Sequence, residues 1–136
     1  MENGSEYIKS LGISDHIAKL HLTGILSHIA EFADVQTALS FAWKFGGKQI
    51  TLPTAMDRSS MMIRELGTEV VAKLLATDLP MMTVVPHGPF SHRTITRMKA
   101  MKMLEEGVSL SGVANALRVT RSSVQKWRRL LEGKRT

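Results

Sequence analysis

Apolar residues recur at three- and four-residue steps early in the chain: Ala18, Leu22, Ile25, Leu26, Ile29, Phe32 and Ala33. That spacing lays an apolar stripe along one face of a helix. Ser14, followed by Asp15, supplies its start signal. Residues 1–13 lack the pattern and are expected to be loosely ordered. Asp34 is placed to cap a second helix, with Val35, Ala38, Leu39, Ala42 and Trp43 on one face. Gly46-Gly47 ends it, because glycine takes the left-handed terminating conformation at little cost.

The step then shortens to two. Ile50 and Leu52 alternate with Gln49 and Thr51, the pattern of a half-buried strand, and Pro53 stops it. A helical pattern resumes over residues 59–67 and ends at Gly67. Thr68 is expected to cap the next helix, Glu69–Thr77, with Val70, Val71, Leu74 and Leu75 inward. A second β-type run, Met82-Thr83-Val84-Val85, is stopped by Pro86. Two short strands make no independently stable sheet. They pair with each other or with copies in a second subunit, and a bare edge would favour dimerisation.

Pro86-His87-Gly88-Pro89 reads as a stiff connection. Ser91 can cap a helix running to about Glu106, ended by Gly107. Residues 109–131 then carry a distinct pattern. Ser109 caps a short helix, Leu110–Leu117, with Leu110, Val113, Ala114 and Leu117 inward. Ala114 is small, as a close helix crossing requires. Arg118-Val119-Thr120 forms a tight turn with Val119 plugging the corner. Thr120 caps a second helix from Arg121 to about Leu131, with Val124, Trp127 and Leu131 inward. Helix, three-residue turn and second helix make a helix-turn-helix. The turn's first position usually carries glycine because φ is positive there. Arg118 in that conformation costs about 1 kcal/mol.

The outward face of the second helix holds Arg121, Ser122, Gln125, Lys126 and Arg129, the candidate base contacts. Arginine can grip a guanine edge with two hydrogen bonds and glutamine an adenine edge, in a major groove about 12 Å wide. Arg118, Thr120, Ser123 and Arg128 are the candidate phosphate contacts. The pattern predicts a mainly α chain with a small β element. A helical and strand dimerisation body, residues 1–86, leads through a linker, 87–90, to a helix-turn-helix domain, 91–136.

Charge strengthens this reading. The net charge is +6, but residues 91–136 alone carry +8 and residues 1–90 carry −2. A slightly acidic body with a strongly basic C-terminal third points to a polyanionic partner. With no cysteine, disulfides, thiolate metal sites and a cysteine nucleophile are excluded. No apolar run is long enough for a membrane span, the N-terminus lacks a secretory pattern, and a cytoplasmic location is expected. The five histidines include no pair at the spacing of two metal ligands on one helix turn, although His21 and His28 could share a face. Glu65 and Glu69 lie one helical turn apart and read as solvated. No metal, no cofactor and no catalysis are expected.

The order Trp43-Lys44-Phe45-Gly46-Gly47-Lys48-Gln49-Ile50-Thr51-Leu52-Pro53, then Glu65-Leu66-Gly67, Val84-Val85-Pro86 and the helix-turn-helix resembles the Mor/C family of phage middle- and late-gene transcription activators. The resemblance covers about residues 30–132. It implies a homodimer whose two C-terminal modules read an inverted repeat on double-stranded DNA, and an activator that also touches RNA polymerase. It further implies that the strand after the glycine pair approaches DNA through Gln49 and Thr51, where the family often has an aromatic at the Thr51 position. The alternatives are a repressor, a DNA-binding accessory to a recombinase or terminase, and a protein–protein adaptor that binds no specific DNA.

Overall fold

The computed structural model describes residues 4–53 and 60–133. These residues form nine helices and one two-stranded sheet. They fall into two compact units, one of Met1–Glu6 with Leu22–Gly88 and one of Tyr7–His21 with Pro89–Thr136. The chain is mainly α with a small β element, as the periodicity predicts.

Helix α1 spans Gly4–Ser10, where a loosely ordered start was expected. Ile8 and Ile13 are buried, and two apolar anchors five residues apart are enough to dock a segment that has no amphipathic stripe. The stripe from Ala18 to Ala33 is a second departure. It is two helices, α2 (Asp15–Lys19) and α3 (Ile25–Phe32). Gly24 precedes α3 with φ 57° and ψ −135°, a conformation available to glycine alone, and this breaks the helix. The apolar step continues across the break because Leu22 is buried in the link itself. Ile17 and Ala18 thus serve one unit, and Ile25, Leu26 and Ile29 the other.

In the first unit, α3 packs against α4 (Val35–Phe45) and against α6 (Thr68–Leu75), which also meets α5 (Met61–Leu66). Ile25, Leu26, Ile29, Leu39, Met62, Val71 and Leu74 are fully buried there. Asp34 caps α4, accepting the Thr37 N–H at 2.7 Å. Thr68 does not cap α6. It is the first helical residue, and Gly67, at φ 87°, holds the cap position without a side-chain bond. The predicted helix over residues 59–67 is α5; residue 59 lies outside the described residues.

Strands β1 (Gln49–Thr51) and β2 (Met82–Val84) pair antiparallel within the chain, which settles the two pairings left open by the sequence. Gln49 faces Val84, Ile50 faces Thr83 and Thr51 faces Met82. The ladder continues through Val85 N–H to Lys48 O at 2.9 Å and Gly47 N–H to Val85 O at 2.7 Å. Both glycines of the pair are needed here. A Cβ on Gly46 would sit 2.6 Å from the Ala42 carbonyl, and one on Gly47, at φ 81°, would meet the His87 ring at 2.5 Å.

The second unit contains α2 and three C-terminal helices, α7 (His92–Glu105), α8 (Leu110–Leu117) and α9 (Arg121–Gly133). Each of the three packs on the other two, and α2 packs on α7. Ala100, Val113, Ala114 and Val124 form the buried centre of the trihelical cluster. Met103, Leu104, Leu117, Val119 and Trp127 close around it.

Candidate nucleic-acid interface

The interface candidate is built from three capped helices. Ser91 accepts the Thr94 N–H at 3.2 Å and starts α7. Ser109 accepts the Gly112 N–H at 3.0 Å and starts α8. Thr120 accepts the Ser123 N–H at 3.2 Å and starts α9. Each hydroxyl satisfies one of the N–H groups that a helix start leaves without an intrahelical partner. These caps fix where each helix begins, and so fix which side chains of α9 face outward.

Between α8 and α9 the chain turns through Arg118, at φ 57° and ψ 46°, the one non-glycine with positive φ among the described residues. The Val119 N–H reaches back to the Ala114 carbonyl at 3.1 Å, and the Val119 side chain packs on the cluster. This is the geometry the sequence predicts for the turn, with arginine bearing the strain a glycine would avoid.

Helix α9 has two contrasting sides. Val124 and Leu131 are buried and Trp127 is half-buried against the cluster. Arg121, Ser122, Gln125, Lys126 and Arg129 are all exposed. At about 100° per residue they fall within one sector of roughly 140°. The structure therefore brings the five candidate base contacts onto one face. No carboxylate occurs in the first turn of α9. Of the candidate phosphate contacts, Arg118 and Thr120 are exposed and Ser123 is half-buried. The Thr120 hydroxyl also donates to Ser123 Oγ at 2.9 Å, tying both into the cap. Arg128 is exposed but has an acidic neighbour, with its Nε 3.8 Å from Glu132.

Gln49 and Thr51 belong to the first unit. Both are exposed, on the same side of the ribbon as Met82 and Val84, which are 60% and 61% exposed. Ile50 turns the other way and is buried. The face that the sequence reads as polar is thus half apolar, because alternation along β1 says nothing about what β2 places opposite.

Not every cation of the basic segment enlarges the exposed positive field. Arg97 is half-buried, and its Nε is buried without a hydrogen-bond partner. It faces His21, whose Nδ1 lies 3.0 Å from the Ile17 carbonyl. Burial, and secondarily the Arg97 charge, hold the His21 pKa below its ordinary 6.5 despite that hydrogen bond. His21 and His28 do not share a helix face. His21 lies in the link after α2, and His28 stacks on Phe32 within α3. Glu65 and Glu69 are separate too, paired with Lys44 at 3.0 Å and Lys73 at 3.7 Å. Among the described residues no group of three His, Asp or Glu is placed to hold a metal ion.

Sequence reasoning did not single out Arg93. It is exposed in the first turn of α7 and lines a cleft with Arg118 and Ser123. The available signal was its position, since a cation in the first turn opposes the helix dipole.

Among the described residues no helix is long and apolar enough to cross a membrane. Comparison with curated proteins and with solved structures finds no match. Residues 91–135 match the Homeodomain-like domain family, a span that takes in α7, α8 and α9 together. The C-terminal third of the chain is a homeodomain-like helix-turn-helix domain, a DNA-binding fold.

Proposed function

We propose that the chain is a sequence-specific transcription regulator that binds an inverted repeat as a homodimer and acts as an activator. The observation that carries the DNA reading is the division of α9. Its apolar side is locked into the trihelical cluster, and its outer side presents Arg121, Ser122, Gln125, Lys126 and Arg129 to solvent. A helix held in this way can enter the major groove and offer two-point hydrogen bonds to guanine and adenine edges. Arg118, Thr120, Ser123 and Arg128 flank that face and would set its register on the phosphates.

The dimer rests on two supports. One is the resemblance to the Mor/C activators, which also motivates activation, an RNA polymerase contact and the approach of Gln49 and Thr51 to DNA. The other is the apolar exposure at β2 and the residue before it in the first unit, where Met81, Met82 and Val84 are all more than half exposed. The pairing role is assigned to that unit, and a second copy is the occupant proposed for those side chains.

Selection of bound sites from a random duplex pool tests the reading as a whole. The expected product is one sequence motif in two inverted copies, centred about 34 Å apart or a multiple of that distance. Recovery of no motif would reject sequence-specific binding. A single unrepeated motif would reject the dimeric site. A reporter fused to the selected site then distinguishes activation from repression.

A further inference from the structure

Among the described residues of the second unit, two clefts beside α9 are lined by exposed arginines, and they differ in their acidic neighbours. The first, about 250 Å³, is lined by Arg128 together with Glu105 and Glu132. Its arginine already faces a carboxylate. The second, about 360 Å³, lies among the first turn of α7, the α8–α9 turn and the start of α9. Arg93 and Arg118 line it, no acidic side chain does, and neither arginine forms an ion pair among the described residues. Ser123 contributes a hydroxyl that accepts from Thr120, so its own proton can be donated into the cleft. Trp127 lines it as well and joins it to the trihelical cluster.

We propose that this cleft seats a backbone phosphate of the bound duplex, gripped by Arg93 from α7 and Arg118 from the turn, with Ser123 as a hydroxyl donor. The inference rests on the DNA-binding reading and deepens it. It makes α7 part of the interface, not only a buttress for α8 and α9, and it makes Arg93 a stronger phosphate contact than Arg128. The occupant follows from charge. Two guanidiniums in a cleft with no carboxylate or ion-pair partner among the described residues call for an anion, and Ser123, in the first turn of α9, places the cleft where the groove-facing helix begins. Guanidinium groups suit a phosphate because their fork matches two of its oxygens. Such a contact fixes register and carries no base information.

Fluorescence anisotropy titrations over a monovalent salt series test this, using the full chain with a selected duplex and a scrambled one. Arg93→Ala is expected to weaken binding by the same factor on both duplexes and to lower the slope of log affinity against log salt by about 1. Arg128→Ala is expected to do less on both counts. Arg93→Glu is expected to weaken binding further while holding or raising Tm, since an acid in the first turn of α7 suits the helix dipole. Unchanged affinity and slope in Arg93→Ala would overturn the proposal, as would a loss confined to one sequence. A lower Tm in Arg93→Glu would assign Arg93 a structural role and also overturn it. These failures are separable from failure of the DNA reading, in which the unsubstituted chain would bind neither duplex.

Discussion

The outer face of α9 and the outer face of the β1–β2 ribbon are both open to solvent, yet they suit different partners. The helix face carries three cations, a serine and a glutamine over a locked apolar side. The ribbon face carries Gln49 and Thr51 beside Met82 and Val84, with no charge on those four residues. A polyanion gains from the first surface through charge and directed hydrogen bonds. The second offers an uncharged, half-apolar area, which favours another protein surface. In the proposed function the fold separates reading from pairing, with cations on a helix and apolar side chains on a strand.

Two methionines, one buried and one exposed, give the widest contrast. Met98 is fully buried on α7, whereas Met82 is 60% exposed on β2. Met98→Ala is expected to cost about 2–5 kcal/mol in denaturant unfolding. Met82→Ala should stay within about 0.5 kcal/mol. Met82→Lys is expected to shift sedimentation toward monomer while leaving Tm nearly unchanged at a dilution where both proteins are monomeric. A dimer that survives Met82→Lys would remove the ribbon from the pairing surface.

Caps come next. Asp34→Ala should cost about 1 kcal/mol, from loss of the bond to the Thr37 N–H. That hydrogen bond, and secondarily the Thr37 hydroxyl, hold the Asp34 pKa below 3.8. Its contribution is therefore present above that value and is lost as pH falls below it, so the Asp34→Ala deficit should shrink in acid.

The turn offers an effect of similar size and opposite sign. Arg118→Gly is expected to raise stability by about 1 kcal/mol by relieving the left-handed strain. It should also weaken binding on every duplex sequence. If stability rose and affinity were unchanged, Arg118 would have no place in the interface.

His21 contributes less than either cap or turn. Its pKa is lowered in the folded chain, so the unfolded chain binds the proton first as pH falls through 6.5. Stability should be full above that value and decline below it. His21→Gln is expected to flatten the Tm profile between about pH 7.5 and about pH 5. An unchanged profile would mean that another group governs the decline.

The homeodomain-like domain was largely legible in the sequence, and the reason is local. Ser91, Ser109 and Thr120 each cap within three residues, Gly107 ends a helix, and the apolar steps of α8 and α9 face a single shared cluster. Even the left-handed Arg118 follows from the spacing. The first unit was less legible because its signals are not local. The step from Ala18 to Ala33 is helical throughout, but it serves two cores, and period alone does not say which core a residue joins. Gly24 was the one cue to the break, and a lone glycine inside a helical pattern is often tolerated. The ribbon's apolar outer face depended on register, which sets Val84 opposite Gln49 and Met82 opposite Thr51. Arg93 was missed because its neighbours in the cleft come from another helix and a turn.

In the proposed complex the outer face of α9 reads base sequence. The most direct test is the specificity ratio, selected against scrambled duplex, for Arg121→Ala and Gln125→Ala beside Arg128→Ala. The first two are expected to lose about 1–3 kcal/mol on the selected duplex and little on the scrambled one, while Arg128→Ala loses equally on both. Equal losses on both duplexes for all three variants would contradict base reading by that face.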